Sequence, residues 1–344
     1  MSETIKTVLK YGVSFLLTGG FLFLAFRGTD WNALVNSMRS ANYWWMLVMF
    51  AVLMLSHAVR AYRWKYFLAP IKKNVRYRNL FSSLMIGYMV NNFLPRAGEF
   101  VRPYTIGKLE GFSRSSALGT VVMERLIDFL SFIVLVAFIP LAYSGPLTEQ
   151  FPWLVETSVI LSVVTLSAIG CILLLLSRRD MVFRAFGFLS QWMPKPTAEK
   201  IEQITHKFLD GFLFLKEPKH YAMILLTSIL VWLLYIIMMW VAFFSFQEMN
   251  NSLLDFSAAL VLQAMSSIGV AIPTPGATGS YHLITIQSLT RLYGIEETIA
   301  RSYATLTHAV GYVGVVVVGL YYFIRDHLRV SEVLQENISV EESK

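Results

Sequence analysis

The chain has 344 residues, of which 56% are hydrophobic and 15% are charged, and its mean hydropathy is +0.56. This composition is far more apolar than that of a soluble domain of the same length, so it indicates an integral membrane protein. The formal net charge of +7 does not indicate a nucleic-acid partner, because the basic residues lie between hydrophobic segments and form no continuous basic domain. We expect anionic lipid headgroups to balance this charge.

The first half of the chain, residues 1–145, is predicted to contain three membrane-spanning helices and one hairpin that enters the bilayer and turns back. The spans are predicted at about residues 8–26, 43–59 and 115–143, and the re-entrant hairpin at residues 79–112. The apolar run from Leu80 to Val90 is too short for a crossing, because a hydrocarbon core of about 30 Å takes roughly 20 apolar residues in a helix. The basic and aromatic residues between positions 60 and 78 predict a loop at headgroup level.

The second half, residues 150–326, repeats this order of segments. Its spans are predicted at about residues 157–176, 221–246 and 300–323, and its re-entrant hairpin, broken by prolines and glycines, at residues 256–293. Residues 180–219 are less hydrophobic, and their apolar residues recur at roughly helical spacing, which predicts a cytoplasmic amphipathic segment on the membrane surface. The polar residues 327–344 are predicted to form a cytoplasmic tail.

The distribution of Lys and Arg predicts the orientation. It assigns 24 basic residues to one side and four to the other, which places both termini in the cytoplasm. Each half then reads span, span, hairpin, span, and the second half starts from the opposite side of the membrane. We therefore predict a single all-α polytopic domain over residues 1–344, with about six transmembrane helices and two re-entrant hairpins in an inverted repeat, as secondary transporters have.

The break in the first hairpin contains three charged residues at intervals of three, namely Arg96, Glu99 and Arg102. Guanidinium forks and the unpaired backbone N–H groups of a helix start suit a phosphate group, and broken backbone at membrane depth is tolerated where it is buried in protein or lines a cavity. The alternative is a local ion-pair set near the interface, where such pairs contribute roughly 0 to 1 kcal/mol.

A second charged group, Glu124, Arg125 and Asp128, lies in the apolar helix that follows. Charges within spans cost roughly 2.5 to 3.5 kcal/mol each on insertion scales and usually face the interior of the helix bundle. The two carboxylates lie four residues apart on one face, with the arginine three residues before Asp128, so a self-neutralising structural cluster and a functional site are both open interpretations.

Three motifs in this order give the chain a family resemblance. They are Asn91-Asn92-Phe93-Leu94-Pro95 with Gly98-Glu99, Arg102 and Tyr104; Glu124-Arg125 with Asp128; and Pro273, Pro275-Gly276 and Gly279. The set resembles the membrane region of lysylphosphatidylglycerol synthases and of related flippase-like membrane proteins. In the synthases this region moves an aminoacylated lipid between leaflets and is joined to a soluble aminoacyl transferase domain, and we expect no such domain in the sequence up to Lys344.

The resemblance implies a lipid-handling domain with re-entrant helices, and together with the charge pattern it predicts a substrate site. After the glycines this chain has Ser280-Tyr281-His282, where many family members have an acidic or basic residue, and His282 is included because it follows the glycine turn directly. The predicted substrate-binding residues are Asn91, Asn92, Arg96, Glu99, Arg102, Tyr104, Glu124, Arg125, Asp128, Pro275, Gly276, Gly279 and His282.

No metal site, cofactor or catalytic residue is predicted. Cys171 is the only cysteine, and the spacing of His57, His282 and His308 matches no zinc motif, so these histidines are interpreted first as packing residues. No Walker motif is present that would indicate direct coupling to ATP.

The leading functional prediction is a transporter or flippase, not an enzyme, that moves a phosphate-bearing lipid between leaflets of the inner (plasma) membrane. Its expected partners are a membrane phospholipid or a polyprenyl-phosphate-linked lipid and the bilayer itself, with no nucleic acid; self-association into a homo-oligomer stays open. The alternatives are a membrane-embedded lipid-modifying enzyme, such as a polyprenyl-dependent glycosyltransferase or a lipid phosphatase, and an accessory subunit of an envelope lipid pathway. Such an enzyme would be expected to place convergent acidic or His/Arg groups in outer loops, and none is evident there.

Overall fold

The computed structural model describes residues 3–143, 145, 147–177, 195–249 and 253–328, and all regular secondary structure within these ranges is helical. The α-helices are α1 (Glu3–Phe26), α2 (Trp31–Ser40), α3 (Tyr43–Leu68), α4 (Tyr77–Phe93), α5 (Gly98–Glu110), α6 (Arg114–Ala137), α7 (Ile139–Ala142), α8 (Leu147–Gln150), α9 (Trp153–Ser177), α10 (Lys195–Asp210), α11 (Tyr221–Phe243), α12 (Phe256–Ala271), α13 (Ser280–Tyr293) and α14 (Glu297–Arg325). The predicted all-α fold class is confirmed.

Three of these helices are long and apolar enough to cross a membrane: α3, α11 with the short 3-10 turn before it, and α14. Helices α1 and α2 together pass the same test, but they are bent by 86° where they join. By length and composition the described residues thus contain three spans, or four if the bent pair counts as one. The count of six spans and the position of the termini stay predictions.

Both predicted hairpins are present as pairs of packed helices, α4 with α5 and α12 with α13. Each pair crosses at a glycine that leaves room for the backbone of its partner. A Cβ added at Gly87 would lie 3.0 Å from the carbonyl oxygen of Gly98, and one added at Gly269 would lie 2.8 Å from that of Ser280. The two crossings are therefore 182 positions apart in the sequence, from 87 to 269 and from 98 to 280.

The two halves share the same order of contacts. In the first half α3 packs on α4, α4 on α5 and α5 on α6, and in the second half α11 packs on α12, α12 on α13 and α13 on α14. Both α5 and α13 end at a glycine in the left-handed region, Gly111 and Gly294, and a side chain two residues later caps the next helix. A left-handed glycine is a common helix terminator because it has no Cβ to clash.

The two largest apolar clusters among the described residues each draw on both halves of the chain. One joins α11, α12, α13 and α14 with the first turns of α3 and with parts of α6, α7 and α9, and the other joins α3, α4 and α6 with the end of α10 and the start of α11. Helices α3 and α11 pack along each other and connect the two halves.

The predicted loop at positions 60–78 is wrong in its first part. Helix α3 continues to Leu68, and Arg60, Arg63 and Trp64 are buried inside the bundle. Basic residues ended the predicted span because unpaired charge is costly in a membrane, but here carboxylates of another helix compensate them. Residues that are truly outside the helix begin only at Ala69.

Two other boundaries differ from the predictions. The predicted helix over 115–143 ends at Ala137, and a separate short helix, α7, begins just before Pro140, whose ring and missing N–H interrupt the helix. Helix α2 was not predicted; its N-terminus is capped by the Asp30 carboxylate, which accepts from the backbone N–H groups of Asn32 and Ala33.

The amphipathic segment predicted at 180–219 is described only from residue 195, and the predicted tail only up to residue 328. Within the described part, α10 docks on α6 where Gly119 and Gly211 let the two backbones approach closely. This contact fixes the end of α10 against the bundle.

Candidate functional site

Helices α3, α5 and α6 bring seven charged side chains together inside the bundle. The four basic members are Arg60, Arg63, Arg102 and Arg125. The three acidic members are Glu99, Glu124 and Asp128. We call this set the arginine–carboxylate cluster.

Glu124 lies at the centre of the cluster and is completely buried. Its Oε1 atom accepts from Nε of Arg60 at 2.7 Å and from Nη2 of Arg63 at 3.4 Å, and its Oε2 atom lies 2.7 Å from Nη2 of Arg102. A buried carboxylate requires such partners, because an isolated charge in a low-dielectric interior costs several kcal/mol. One carboxylate therefore joins α3, α5 and α6.

Asp128 lies one helical turn from Glu124 on the same face of α6. It pairs with Nη2 of Arg60 and accepts from Nη2 of Arg63 at 2.7 Å. Nη1 of Arg125 lies 3.7 Å away and forms a looser pair. The main partners of the two acids are thus the arginines of α3, not Arg125 of their own helix.

Helix α11 supplies neutral partners for the arginines of α3. Arg60 donates through Nη1 to the Tyr235 hydroxyl at 3.0 Å, and Arg63 donates through Nη1 to the Ser228 hydroxyl at 2.9 Å. These contacts hold the guanidinium groups between α6 and α11, so their positions are fixed from both sides.

Arg102 differs from the other buried arginines. Its guanidinium lies 3.6 Å from the ring centre of Trp64, whose indole N–H donates to the Thr120 hydroxyl at 2.9 Å. Nη2 pairs with Oε2 of Glu124 at 2.7 Å, whereas Nε and Nη1 have no hydrogen-bond partner among the described residues. A fixed, buried guanidinium thus keeps unused donors.

The edge of the cluster is accessible. Nε of Arg125 lies 3.5 Å from Oε1 of Glu99, and the two side chains are 29% and 32% exposed. Glu99 is one turn before Arg102 on α5, so the same helix face leads from the exposed pair to the buried guanidinium. A ligand that displaced the Arg125–Glu99 pair would therefore approach Arg102 next.

The turns of the two hairpins contact each other. Arg96 donates to the backbone oxygen of Ala271 at 2.9 Å. The first turn also contacts α14: the Asn92 amide donates to the backbone oxygen of Tyr312 at 3.2 Å, and the Tyr312 hydroxyl donates to the backbone oxygen of Asn92 at 3.0 Å. Arg96 and Ala277 both have positive φ, 62° and 59°, which is uncommon for residues with a side chain.

Two histidines shape the turn of the second hairpin. His308 lies with Nε2 2.8 Å from the backbone oxygen of Gly276, and its ring centre is 4.6 Å from that of His282. The backbone N–H of Gly279 donates to Nδ1 of His282 at 3.3 Å. Both rings thus have backbone partners, and within the described residues no group of three or more His, Cys, Asp or Glu could hold a metal ion.

The predicted site residues fall into two sets. The cluster contains Glu99, Arg102, Glu124, Arg125 and Asp128, whereas the turns contain Asn91, Asn92, Arg96, Pro275, Gly276, Gly279 and His282. Tyr104 belongs to neither: it is buried on α5, with the Arg114 guanidinium 4.4 Å from its ring centre. Arg96 donates to the backbone oxygen of Ala271, whereas Arg102 pairs with Glu124.

Arg60, Arg63 and Trp64 are members of the site that were not predicted from the sequence. A signal was present, because the two arginines are three residues apart and the two carboxylates of α6 are four apart, so each pair lies on one helix face. To use it, one must recognise that α3 continues past the first basic residue.

The fold and the cluster define a helical membrane protein with buried, paired charge between two hairpin-containing halves. Comparison with known proteins agrees: the chain belongs to the family of the lysylphosphatidylglycerol synthase transmembrane region, whose model matches residues 9–319. This confirms the resemblance carried by the three motifs.

Two archaeal relatives are similar over most of their length. A UPF0104 membrane protein of Methanocaldococcus jannaschii is 23% identical over 312 residues, covering 87% of this chain and 90% of the relative. A UPF0104 membrane protein of Methanothermobacter thermautotrophicus is 26% identical over 256 residues, covering 71% and 75%. No solved structure matches the chain.

Proposed function

We propose that this protein is a multi-pass transporter of the cell membrane that moves phosphate-bearing lipid headgroups between leaflets, with the arginine–carboxylate cluster as its binding site. The observation that carries the proposal is Arg102, a buried guanidinium that lies 3.6 Å from the ring centre of Trp64 and whose Nε and Nη1 lack hydrogen-bond acceptors among the described residues. Phosphate oxygens are good acceptors for such a fork, because charge-assisted bonds of this kind can be bidentate.

Stabilisation of the fold alone explains poorly why the chain has this cluster of charged residues. Replacing a buried ion-pair network by well-packed apolar side chains is often neutral or stabilising by about 1 to 4 kcal/mol. A network retained inside a membrane protein therefore favours a functional role, and ionisable residues at membrane depth commonly mark substrate pathways.

The shared order of contacts in the two halves supports transport as the mode of action. Two halves of similar structure and inverted topology can exchange inward-open and outward-open arrangements around a fixed site. Such an exchange would break and remake the contact between the hairpin turns, Arg96 with Ala271, and the contact of Asn92 with Tyr312 of α14.

The proposal is tested with purified protein in liposomes that contain trace phospholipids with fluorescent headgroups. A membrane-impermeant quencher reports the movement of label from the inner to the outer leaflet. Wild-type protein is expected to make the inner-leaflet label accessible, and Arg102→Lys, which keeps the charge but loses the planar fork, is expected to lower the rate severalfold. Arg39→Lys, at an exposed position of α2, is the matched control and should keep the wild-type rate. A wild-type rate equal to that of protein-free liposomes would refute the proposal.

A further inference from the structure

We infer that the headgroup this site takes carries one net negative charge and no amino group, so that an unmodified anionic phosphodiester lipid fits and an aminoacylated one does not. The inference rests on the proposed function and specifies its substrate. It differs from the lipid that the family description names, since the lysyl ester of phosphatidylglycerol carries two ammonium groups and one phosphate.

The cluster has an excess of positive charge. It contains four guanidinium groups and three carboxylates, so its net charge is +1. Tyr88 of α4 and Tyr235 and Ser228 of α11, which also contact its arginines, are neutral. A phosphodiester would neutralise the site, whereas a headgroup with net positive charge would add to the excess.

The hydrogen-bonding groups of the cluster that lack partners are mainly donors. Every carboxylate of the cluster already faces at least one guanidinium: Glu124 faces three, Asp128 three and Glu99 one. The cluster atoms without a hydrogen-bond partner among the described residues are donors on Arg63, Arg102 and Arg125 and one acceptor, Oε2 of Glu124, which Nη2 of Arg102 already faces at 2.7 Å. An ammonium group needs acceptors, so the cluster offers it poor binding, while the non-bridging oxygens of a phosphodiester fit the donors.

The second half of the chain has no carboxylates at the equivalent positions. The shift of 182 that relates the two hairpin crossings places Ile284 at the position of Arg102, and the shift of 183 that relates Gly111 to Gly294 places Thr307 and Gly311 at those of Glu124 and Asp128. These positions supply no carboxylate for an amine. The charge selectivity of the molecule resides in the first half.

The inference is tested by competition in the liposome assay. Phosphatidylglycerol is expected to move at least about tenfold faster than lysylphosphatidylglycerol, which corresponds to about 1.4 kcal/mol. Equal rates, or faster movement of the lysyl lipid, would overturn the inference and leave the proposed function intact.

A binding measurement separates this inference from transport. In detergent, dihexanoyl-phosphatidylglycerol is expected to raise the Tm, whereas the dihexanoyl lysyl ester and inorganic phosphate alone are not. If no lipid moves between leaflets but this binding preference is found, transport is refuted and the charge inference stands. An equal shift with inorganic phosphate would show a site for free anions and overturn the lipid assignment.

Glu99 provides a variant that changes the charge without removing a buried partner. Glu99→Gln raises the surplus from one positive charge to two, so the transport rate of phosphatidic acid, dianionic at pH 8, should rise severalfold relative to that of phosphatidylglycerol. The matched control is Glu202→Gln on the exposed surface of α10, which should leave the ratio unchanged. An unchanged ratio in Glu99→Gln would contradict the role of the net charge.

Discussion

Single side chains of the cluster differ in how much of the fold depends on them. Arg63 is completely buried, pairs with both carboxylates of α6 and donates to Ser228, whereas Arg125 lies at the exposed edge. Loss of one partner from a buried pair leaves an uncompensated charge, while loss of an edge residue lets water replace it. Whether an arginine of the cluster is structural or functional thus depends on whether it lies in the buried centre or at the exposed edge.

We therefore expect opposite phenotypes from the same substitution at these two positions. Arg63→Gln should destabilise the protein by about 3 to 5 kcal/mol, because the fully buried Glu124 and the mostly buried Asp128 both lose a partner. Arg125→Gln should change stability by less than about 1 kcal/mol yet lower lipid movement, since it removes the surplus charge. Thermal unfolding in detergent, with the liposome assay for the second variant, measures both. A stable Arg63→Gln protein would mean that water or lipid already solvates these acids.

At the scale of the helices, the first hairpin depends on two glycines and on the cap of its turn. A Cβ at Gly98 would overlap the backbone carbonyl of Gly87, and the Gly98 N–H donates to the Asn91 amide oxygen at 2.7 Å. The backbone cannot shift at this position without separating α4 from α5. The hairpin is therefore rigid at the crossing.

Gly98→Ala is expected to reduce the amount of folded protein sharply, because the added methyl group meets backbone atoms and not a flexible side chain. Gly20→Ala in α1 is the matched control; a Cβ there meets nothing within 4 Å, so that variant should fold as well as wild type. Size-exclusion profiles of the two variants in detergent give the comparison. Equal monodisperse yields would show that α4 and α5 can separate at no cost.

The far end of this hairpin is tied to the preceding loop through Glu110. Its carboxylate accepts from Lys72 at 2.9 Å and from the Asn79 amide at 2.6 Å. Burial alone would raise the pKa of Glu110, but these hydrogen bonds outweigh it and hold the pKa below its usual range. The contribution to stability is thus present above the unfolded-state pKa of about 4.3 and is lost as the pH falls through the lower folded-state pKa.

Glu110→Gln should accordingly lower the Tm at pH 7, and the difference from wild type should shrink as the pH falls below about 4.3. Melting curves of both proteins across pH 3.5 to 7 measure this. A difference that stays constant over the whole range would assign the effect to packing instead of charge.

Some features of the structure could be predicted from the sequence and others could not, and the difference depends on the kind of residue. Both hairpins could be predicted because prolines and glycines interrupt their apolar runs, and the charged residues of α6 could be identified because they interrupt an apolar helix. Arg60 and Arg63 could not be placed, because their partners lie 61 to 68 positions later in the chain and pairing alone makes their burial tolerable. Orphaned donors such as those of Arg102 are a property of three-dimensional geometry that residue spacing does not contain.

At the scale of the whole molecule, the repeated order of helices in the two halves predicts which side of the membrane equivalent residues face. Lys108 near the end of α5 and Arg291 near the end of α13 are both exposed and lie 183 positions apart, the same separation as the glycines Gly111 and Gly294 that follow them. In an inverted repeat, such equivalent positions face opposite sides of the membrane.

Cysteines introduced at Lys108 and Arg291, each in a Cys171→Ala background, should therefore react with an impermeant maleimide from opposite sides of sealed vesicles. We expect position 108 to react from the cytoplasmic side, where most Lys and Arg lie. The parent Cys171→Ala protein shows the background. Labelling of both positions from one side would exclude the inverted repeat while leaving the shared helix order unexplained.

The connection of α3 to α6 through buried charge has a consequence for synthesis. Ribosomes deliver the chain from its N-terminus, so Arg60 and Arg63 reach the membrane before Glu124, which follows them by 64 and 61 residues. Until then their insertion carries the full cost of unpaired charge. A cysteine at Ser56, buried in the finished protein, should thus react with a thiol reagent in ribosome-bound chains that stop before Glu124 and become protected once α6 has emerged. Protection in the shorter chains would show that α3 inserts without α6. Protection only in the longer chains would show that stable insertion of α3 requires the carboxylates of α6.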